Sequence, residues 1–93
     1  MAHHKVIYNH SNTSYEKCRQ SIHRCLVFLG DLARYRELHS QKARKNFSVA
    51  EGYYYRALAV MPENGNPHNQ LAVLATYIEA ETIAVSSFMY FMV

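Results

Sequence analysis

The sequence predicts an all-α chain of antiparallel helical hairpins, tetratricopeptide-like and incomplete, on three observations. Tyr15, Cys18, Ile22, Cys25, Leu29 and Leu32 recur at alternating steps of three and four, which lines them along one face of a helix. A polar basic stretch at 40–46 and a dense cluster of turn-forming residues at 62–67 divide the chain into helix-length pieces. No stretch alternates with period two between strand-like flanks, so nothing argues for a sheet.

Residues 1–12 are polar, histidine-rich and without period, and are expected to form a flexible terminal segment. The domain proper is expected over 13–93. Its first long helix occupies 13–39, because Thr13-Ser14-Tyr15-Glu16 has the spacing of a capping box. The apolar seam of that helix should face a partner helix, burying both cysteines. Gly30, inside the helix, costs about 1 kcal/mol relative to alanine, so a neighbouring backbone is expected to pack close there. Residues 40–46 form a basic linker carrying Lys42, Arg44 and Lys45. Helical hairpins fill 47–93. Ser48-Val49-Ala50-Glu51 repeats the capping-box pattern and Pro62 closes the helix it opens. Asn66 as N-cap, with Pro67 at the first helical position, launches a third helix to about Ile78, and a fourth is expected over 82–91.

Ala50, Tyr54, Ala57 and Pro62 have the offsets of the second helix of a tetratricopeptide unit. The same frame places Leu71, Ala72, Ala84 and Phe88 at contact positions of a following unit. Upstream, Leu26, Leu29 and Gly30 fit only with an insertion that the basic linker supplies. Fewer than three units are present, which is marginal for an isolated solenoid.

The formal charge of +3 is unevenly spread, with ten bases and four acids in residues 1–56 against none and three in residues 57–93. A basic half attracts anions, phosphopeptide or nucleic acid, weakly and salt-dependently. Cys18 and Cys25 are seven residues apart, about 10 Å along a helix, too far for a disulfide. Neither a signal peptide nor an apolar run of membrane-spanning length is evident, so a soluble intracellular chain with no membrane partner is expected.

Little points to an enzyme. The six histidines show no His-Glu-x-x-His spacing and the cysteines no Cys-x-x-Cys pair, so no metal and no cofactor are expected. His23 neighbours the cysteines in sequence but points away from their face, which argues against a catalytic pair. Tyr53-Tyr54-Tyr55 with Arg56 offers base stacking and a phosphate contact, although Tyr54 fits a core position and packing is the simpler reading. Arg34 lies opposite the apolar seam on the helical wheel, directed at solvent or a groove. Beside Tyr35 it supplies charge-assisted and neutral donors for one phosphate. The alternative for Arg34 is an i,i+3 ion pair with Asp31, worth a few tenths of a kcal/mol on an exposed face.

The segment Cys25-Leu26-Val27-Phe28-Leu29-Gly30-Asp31-Leu32-Ala33-Arg34-Tyr35-Arg36 resembles a motif of the Smg-five/six/seven and Est-one family. Tyr54-Tyr55-Arg56-Ala57, Pro62, Asn64-Gly65-Asn66-Pro67 and Asn69-Gln70-Leu71-Ala72-Val73-Leu74-Ala75 resemble its next block in the same order, so the likeness covers about 14–85, in a plant Smg-seven-like form. The resemblance implies part of a 14-3-3-like helical domain. It implies no enzyme, but an adaptor of nonsense-mediated mRNA decay, cytoplasmic and nuclear, that binds a phosphorylated partner such as the Upf-one-like helicase and pairs with a paralogue. Gly30-Asp31-x-x-Arg34-Tyr35 is similar to the 14-3-3 segment whose arginine and tyrosine hold phosphate, which implies that role for Arg34 and Tyr35. The telomerase-associated Est-one branch implies the alternative, an RNA- or telomeric-DNA-binding module using Lys42, Arg44, Lys45 and Arg56.

Two departures from the family pattern stand out. The other basic residues that complete a 14-3-3 phosphate pocket come from an earlier helix, which this chain is expected to lack or to replace with residues 1–12. After Val85 the chain runs apolar, where the family continues with a tyrosine-rich helix. That ending predicts an adhesive patch and self-association; sedimentation of a clean monomer at tens of micromolar would count against it.

Overall fold

A computed structural model describes the backbone of residues 2–92 and the side chains of 13–87 and 89–92. Three helices follow in order, α1 (Ala2–Leu38), α2 (Ser48–Val60) and α3 (Asn66–Met92), and the described residues contain no strand. The all-α, hairpin reading of the sequence is therefore correct. Contacts His23 to Ala57 and Arg34 to Tyr54 run in opposite chain directions, so α1 and α2 are antiparallel. Phe47 beside Tyr77 and Leu74 in the same cluster as Tyr54 make α2 and α3 antiparallel as well.

The helix boundaries differ from the sequence expectation in four places. Backbone from Ala2 onward is helical, so Thr13 lies within α1 rather than opening it. Phe47, not Ser48, is the N-cap of α2 and makes no side-chain cap bond. Asn46 takes over that task, its Oδ1 accepting the Ser48 N–H at 3.0 Å. Gly65 accepts the Asn69 N–H at 3.1 Å, which moves the start of α3 one residue earlier than expected. The third and fourth helices are one, because residues 79–82 contain no Gly or Pro to break it and Thr82 Oγ1 donates to the Ile78 carbonyl at 2.9 Å. Pro62 does terminate α2, whose last bond runs from Met61 N–H to the Ala57 carbonyl.

The core is small and centred on α2. Phe47, Ala50, Tyr54 and Leu74 are buried together, with Ala33, Leu38, Leu71 and Tyr77 packed around them. The Phe47 and Tyr77 rings lie 5.5 Å apart and tilted, within the range where aromatic pairs attract. Ala50, Tyr54 and Ala57, the small-and-large set of the repeat pattern, are all buried; Ala72 and Ala84 are exposed. Phe88 lies outside the described side chains.

The helix face that α1 turns to α2 is the reverse of the expected one. His23, Val27 and Gly30 are buried, whereas Tyr15, Cys18, Ile22, Cys25, Leu29 and Leu32 are exposed. Gly30 explains the choice. An added Cβ there would lie 2.5 Å from Tyr54 Cε1 and 2.7 Å from Cδ1, so only glycine lets the tyrosine ring settle against the α1 backbone.

The resulting layer is open. The molecule measures 78 × 21 × 12 Å with a radius of gyration of 19.9 Å, against about 12 Å for a compact domain of this length. The second half of α3 projects beyond α2 with Ile83, Val85, Met89, Tyr90, Phe91 and Met92 exposed. By length and composition α3 is also apolar enough to cross a bilayer, where the sequence reading found no such run. Its first half is nonetheless committed to the hairpin core through Pro67 and Leu74.

Candidate functional site

The family-implied residues meet at the α1–α2 crossing. Gly30 brings Tyr54 close, and the tyrosine hydroxyl emerges between Asp31 and Arg34, one turn apart on α1. Tyr54 donates to Asp31 Oδ1 at 2.6 Å and accepts from Arg34 Nε at 3.3 Å. Arg34 Nη2 is 3.5 Å from the same carboxylate oxygen. The other face of the guanidinium is covered by the Tyr35 ring, 4.8 Å to the centroid, a cation–π contact. Arg34 is thus held on three sides, and only 12% of its side chain is exposed. The solvent-directed arginine of the helical wheel is in fact an interhelical one, because α2 packs on the face opposite the apolar seam. The expected Asp31 pair is present, but as part of a triad with Tyr54.

Electrostatics follow from these contacts. Burial works against the Arg34 charge, yet the Tyr54 hydroxyl, the Tyr77 hydroxyl and the Asp31 carboxylate outweigh it and raise the pKa above its ordinary value. Burial and donation to Asp31 push the Tyr54 phenol up to about 12, against a smaller opposing pull from Arg34. The hydroxyl is therefore a fixed neutral donor. Tyr35 differs, being 51% exposed. A phosphate approaching Tyr35 would find one guanidinium already oriented and a competing carboxylate beside it.

The other predicted contacts do not gather into one cationic patch. Lys42 Nζ lies 3.5 Å from Glu37 Oε1, and Lys45 Nζ donates to the Ser40 carbonyl at 2.6 Å. Both lysines thereby hold the linker in shape. The same Glu37 oxygen accepts the Asn46 N–H at 2.7 Å, which together with Lys42 holds the carboxyl below the usual carboxylate range. Arg44 and Lys45 line a groove of about 860 Å³ between the linker and α3, shared with Glu51 and Glu81. Arg56 stands apart on α2, exposed, 5.8 Å over the Tyr53 ring. Among the described residues no cluster of three or more metal-ligating side chains occurs.

Two further interhelical contacts escape sequence reasoning. His23 is buried, with Nδ1 3.0 Å from the Ala57 carbonyl, so a protonated Nδ1 donates across the helix pair. Arg19 donates to the Val60 carbonyl at 3.1 Å and to Glu63 at 2.7 Å while pairing with Glu16. It supplies a donor to the open end of α2. Arg19, His23, Val27, Gly30 and Arg34 recur at steps of three and four, a signal visible in the sequence once small and polar residues are allowed on a packed face.

Comparison with known proteins supports the reading of both halves. A family model described as telomerase activating protein Est1 matches residues 2–40, and one described as the Est1 DNA/RNA binding domain matches residues 50–91. The nonsense-mediated mRNA decay factor SMG7 of Arabidopsis thaliana is 40% identical over 78 residues, 82% of this chain and 7% of that protein. Telomerase-binding protein EST1A of Danio rerio is 44% identical over 69 residues, 74% of this chain and 4% of its own length. Human nonsense-mediated mRNA decay factor SMG5 is 48% identical over 58 residues, 61% of this chain and 5% of that protein. The chain thus spans only a small part of the relatives it matches. No solved structure matches it.

Proposed function

This chain belongs to the family of Est1-like and SMG5/SMG7 factors, and from that premise we propose that it serves nonsense-mediated mRNA decay or telomerase association as a non-enzymatic interaction module. Its partner in this reading is a phosphorylated protein, of the Upf-one-like helicase kind, held through Arg34 and Tyr35. The observation that carries the proposal is the orientation of Arg34. Its guanidinium is fixed by the Tyr54 hydroxyl and stacked on an exposed tyrosine, so little rotamer entropy is lost when it binds an oxyanion. The Asp31 contact at 3.5 Å is long for a charge-assisted bond, which leaves the guanidinium open to exchange of partner.

A carboxylate in competition with phosphate provides the test. Asp31→Asn is expected to tighten binding of a peptide bearing one phosphoserine several-fold and to leave the unphosphorylated peptide unaffected. Tyr35→Phe is expected to weaken the phosphopeptide alone, with an unchanged melt. Equal affinity for the two peptides, or no response to Asp31→Asn, would remove the clamp and leave the triad as a packing element.

The DNA/RNA-binding description of the model over residues 50–91 favours one alternative, in which Arg44, Lys45 and Arg56, with exposed Tyr55, contact single-stranded nucleic acid. Lys42 would add a weaker contact. This reading requires an affinity that falls steeply with salt; the phosphoserine preference of the first reading would then be missing.

A further inference from the structure

We infer that the polar pocket between α1 and the turn joining α2 to α3 is an oxyanion site, separate from Arg34, which takes a second phosphate or carboxylate of the partner segment. The pocket has a volume of about 330 Å³ and is lined by Gln20, His23 and Arg24 from α1 and by Asn64 and Asn66 from the turn. Hydrogen-bonding capacity is left over on these groups. The His23 side chain is buried, and its Nδ1 donates to the Ala57 carbonyl at 3.0 Å. Among the described residues no buried side-chain nitrogen lacks a partner, and nothing bonds to Nε2, so that atom opens onto the cavity the ring lines. Neutral, it accepts from a protonated phosphate oxygen; protonated, it donates to an ionised one. Asn64 Oδ1 is engaged by the Asn66 N–H at 2.9 Å, which leaves the two amide donors of Asn64 free to turn to a ligand. Arg24 and Gln20 are exposed and make no side-chain bond or ion pair with another described residue.

Charge decides which ligand fits. Arg24 is a permanent cation, and among the described residues that line the pocket no carboxylate stands with it. Glu63, on the same turn, is paired with Arg19 at 2.7 Å. An oxyanion is therefore unopposed here, whereas Asp31 competes at Arg34 and Glu51 with Glu81 shares the groove of Arg44 and Lys45. Position ties the pocket to the clamp. Gln20, Arg24, Asp31 and Tyr35 follow one another at steps of four, seven and four, which sets them along one flank of α1. Arg24 precedes Tyr35 by eleven residues, roughly 16 Å of helix, a span that an extended segment covers in about five residues. The spacing, unlike the pocket itself, rests on the phosphate reading of Arg34 and Tyr35.

Inorganic phosphate tests the pocket alone. Titrated into the 93-residue chain, it should shift the side-chain amide resonances of Gln20 and Asn64 saturably. Arg24→Gln should abolish that shift, and Arg36→Gln, which removes an exposed charge of α1 off this flank, should not. No saturable shift, or one that both variants reduce equally, overturns the site. Peptides test the spacing. Relative to a peptide with one phosphoserine, a second phosphoserine five residues before or after it should raise affinity about tenfold, one only two residues away should not, and Arg24→Gln should remove the gain alone. Aspartate at the five-residue position that matches the gain assigns the pocket to a carboxylate of the partner; a gain from phosphoserine only assigns it to a phosphate. A gain indifferent to spacing or to Arg24→Gln overturns the pairing of the two sites. If the singly phosphorylated peptide binds no better than the unphosphorylated one, the clamp falls and the spacing with it, while the phosphate titration still decides the pocket.

Discussion

Gly30→Ala is expected to destabilise the chain by about 2 kcal/mol, lowering the thermal midpoint by roughly 8–16 °C for a domain of this size. Two effects oppose each other. Alanine in a helix interior gains about 1 kcal/mol over glycine, and that alone would raise stability. Against it stands a Cβ placed 2.5, 2.7 and 2.9 Å from three ring atoms of Tyr54, distances at which something must move. Tyr54 has no room to do so: its side chain is fully buried and its hydroxyl is tied to Asp31 and Arg34. The overlap therefore wins, by parting α1 from α2 or by breaking the triad. Gly52→Ala is the internal control. It lies within α2 with nothing inside 4 Å of an added Cβ, so the propensity gain is unopposed and the midpoint should rise. Circular dichroism melts of the two variants should move in opposite directions; a neutral or stabilising Gly30→Ala would contradict the Gly30–Tyr54 packing.

The same pair shows how far the sequence could be read. A glycine inside a regular helix and a tyrosine at a repeat contact position each announce a close approach, and the structure joins them. Pro62 and the 62–67 turn likewise carry their own geometry. Periodicity aligned Tyr15, Cys18, Ile22, Cys25, Leu29 and Leu32 on one face of α1, but the burial expected of that face is not found, since all six are exposed. What it could not supply was the partner: spacing says that Ile22 and Leu29 share a face, not that another helix of these residues covers it. α2 instead chose the face that glycine makes shallow, which turned Arg34 inward and left both cysteines outside. The Arg34–Tyr54 bond spans twenty residues of chain, beyond any local pattern. The expected break near residue 80 had no breaker behind it, and α3 accordingly runs through. Family likeness implied a phosphate role for Arg34 and Tyr35; in the proposed clamp, a phosphate would have to displace or share with Asp31.

Tyr54→Ala should have the largest effect of any single substitution, about 3–5 kcal/mol from the cavity left by an aromatic ring. A small domain has about 5–15 kcal/mol in total, and a core with six buried hydrophobic residues among those described belongs at the lower end. The cooperative melt should therefore disappear or fall near ambient temperature. Tyr54→Phe separates the hydroxyl from the ring. It keeps the packing against Gly30 and removes the donor to Asp31 and the acceptor for Arg34, a cost of about 1–3 kcal/mol for groups left without a partner. Alkaline pH should reproduce that loss in the wild type. The Tyr54 phenol ionises near pH 12 in the folded chain and near 10 when unfolded, so its contribution is whole below pH 10 and is lost as pH rises through 12. Ultraviolet titration of the folded chain should show a late-ionising component from Tyr54. In Tyr54→Phe that late component should vanish together with this part of the alkaline destabilisation. If the late component instead persists in Tyr54→Phe, another phenol is the buried one and the Asp31–Tyr54–Arg34 triad does not hold the helices together.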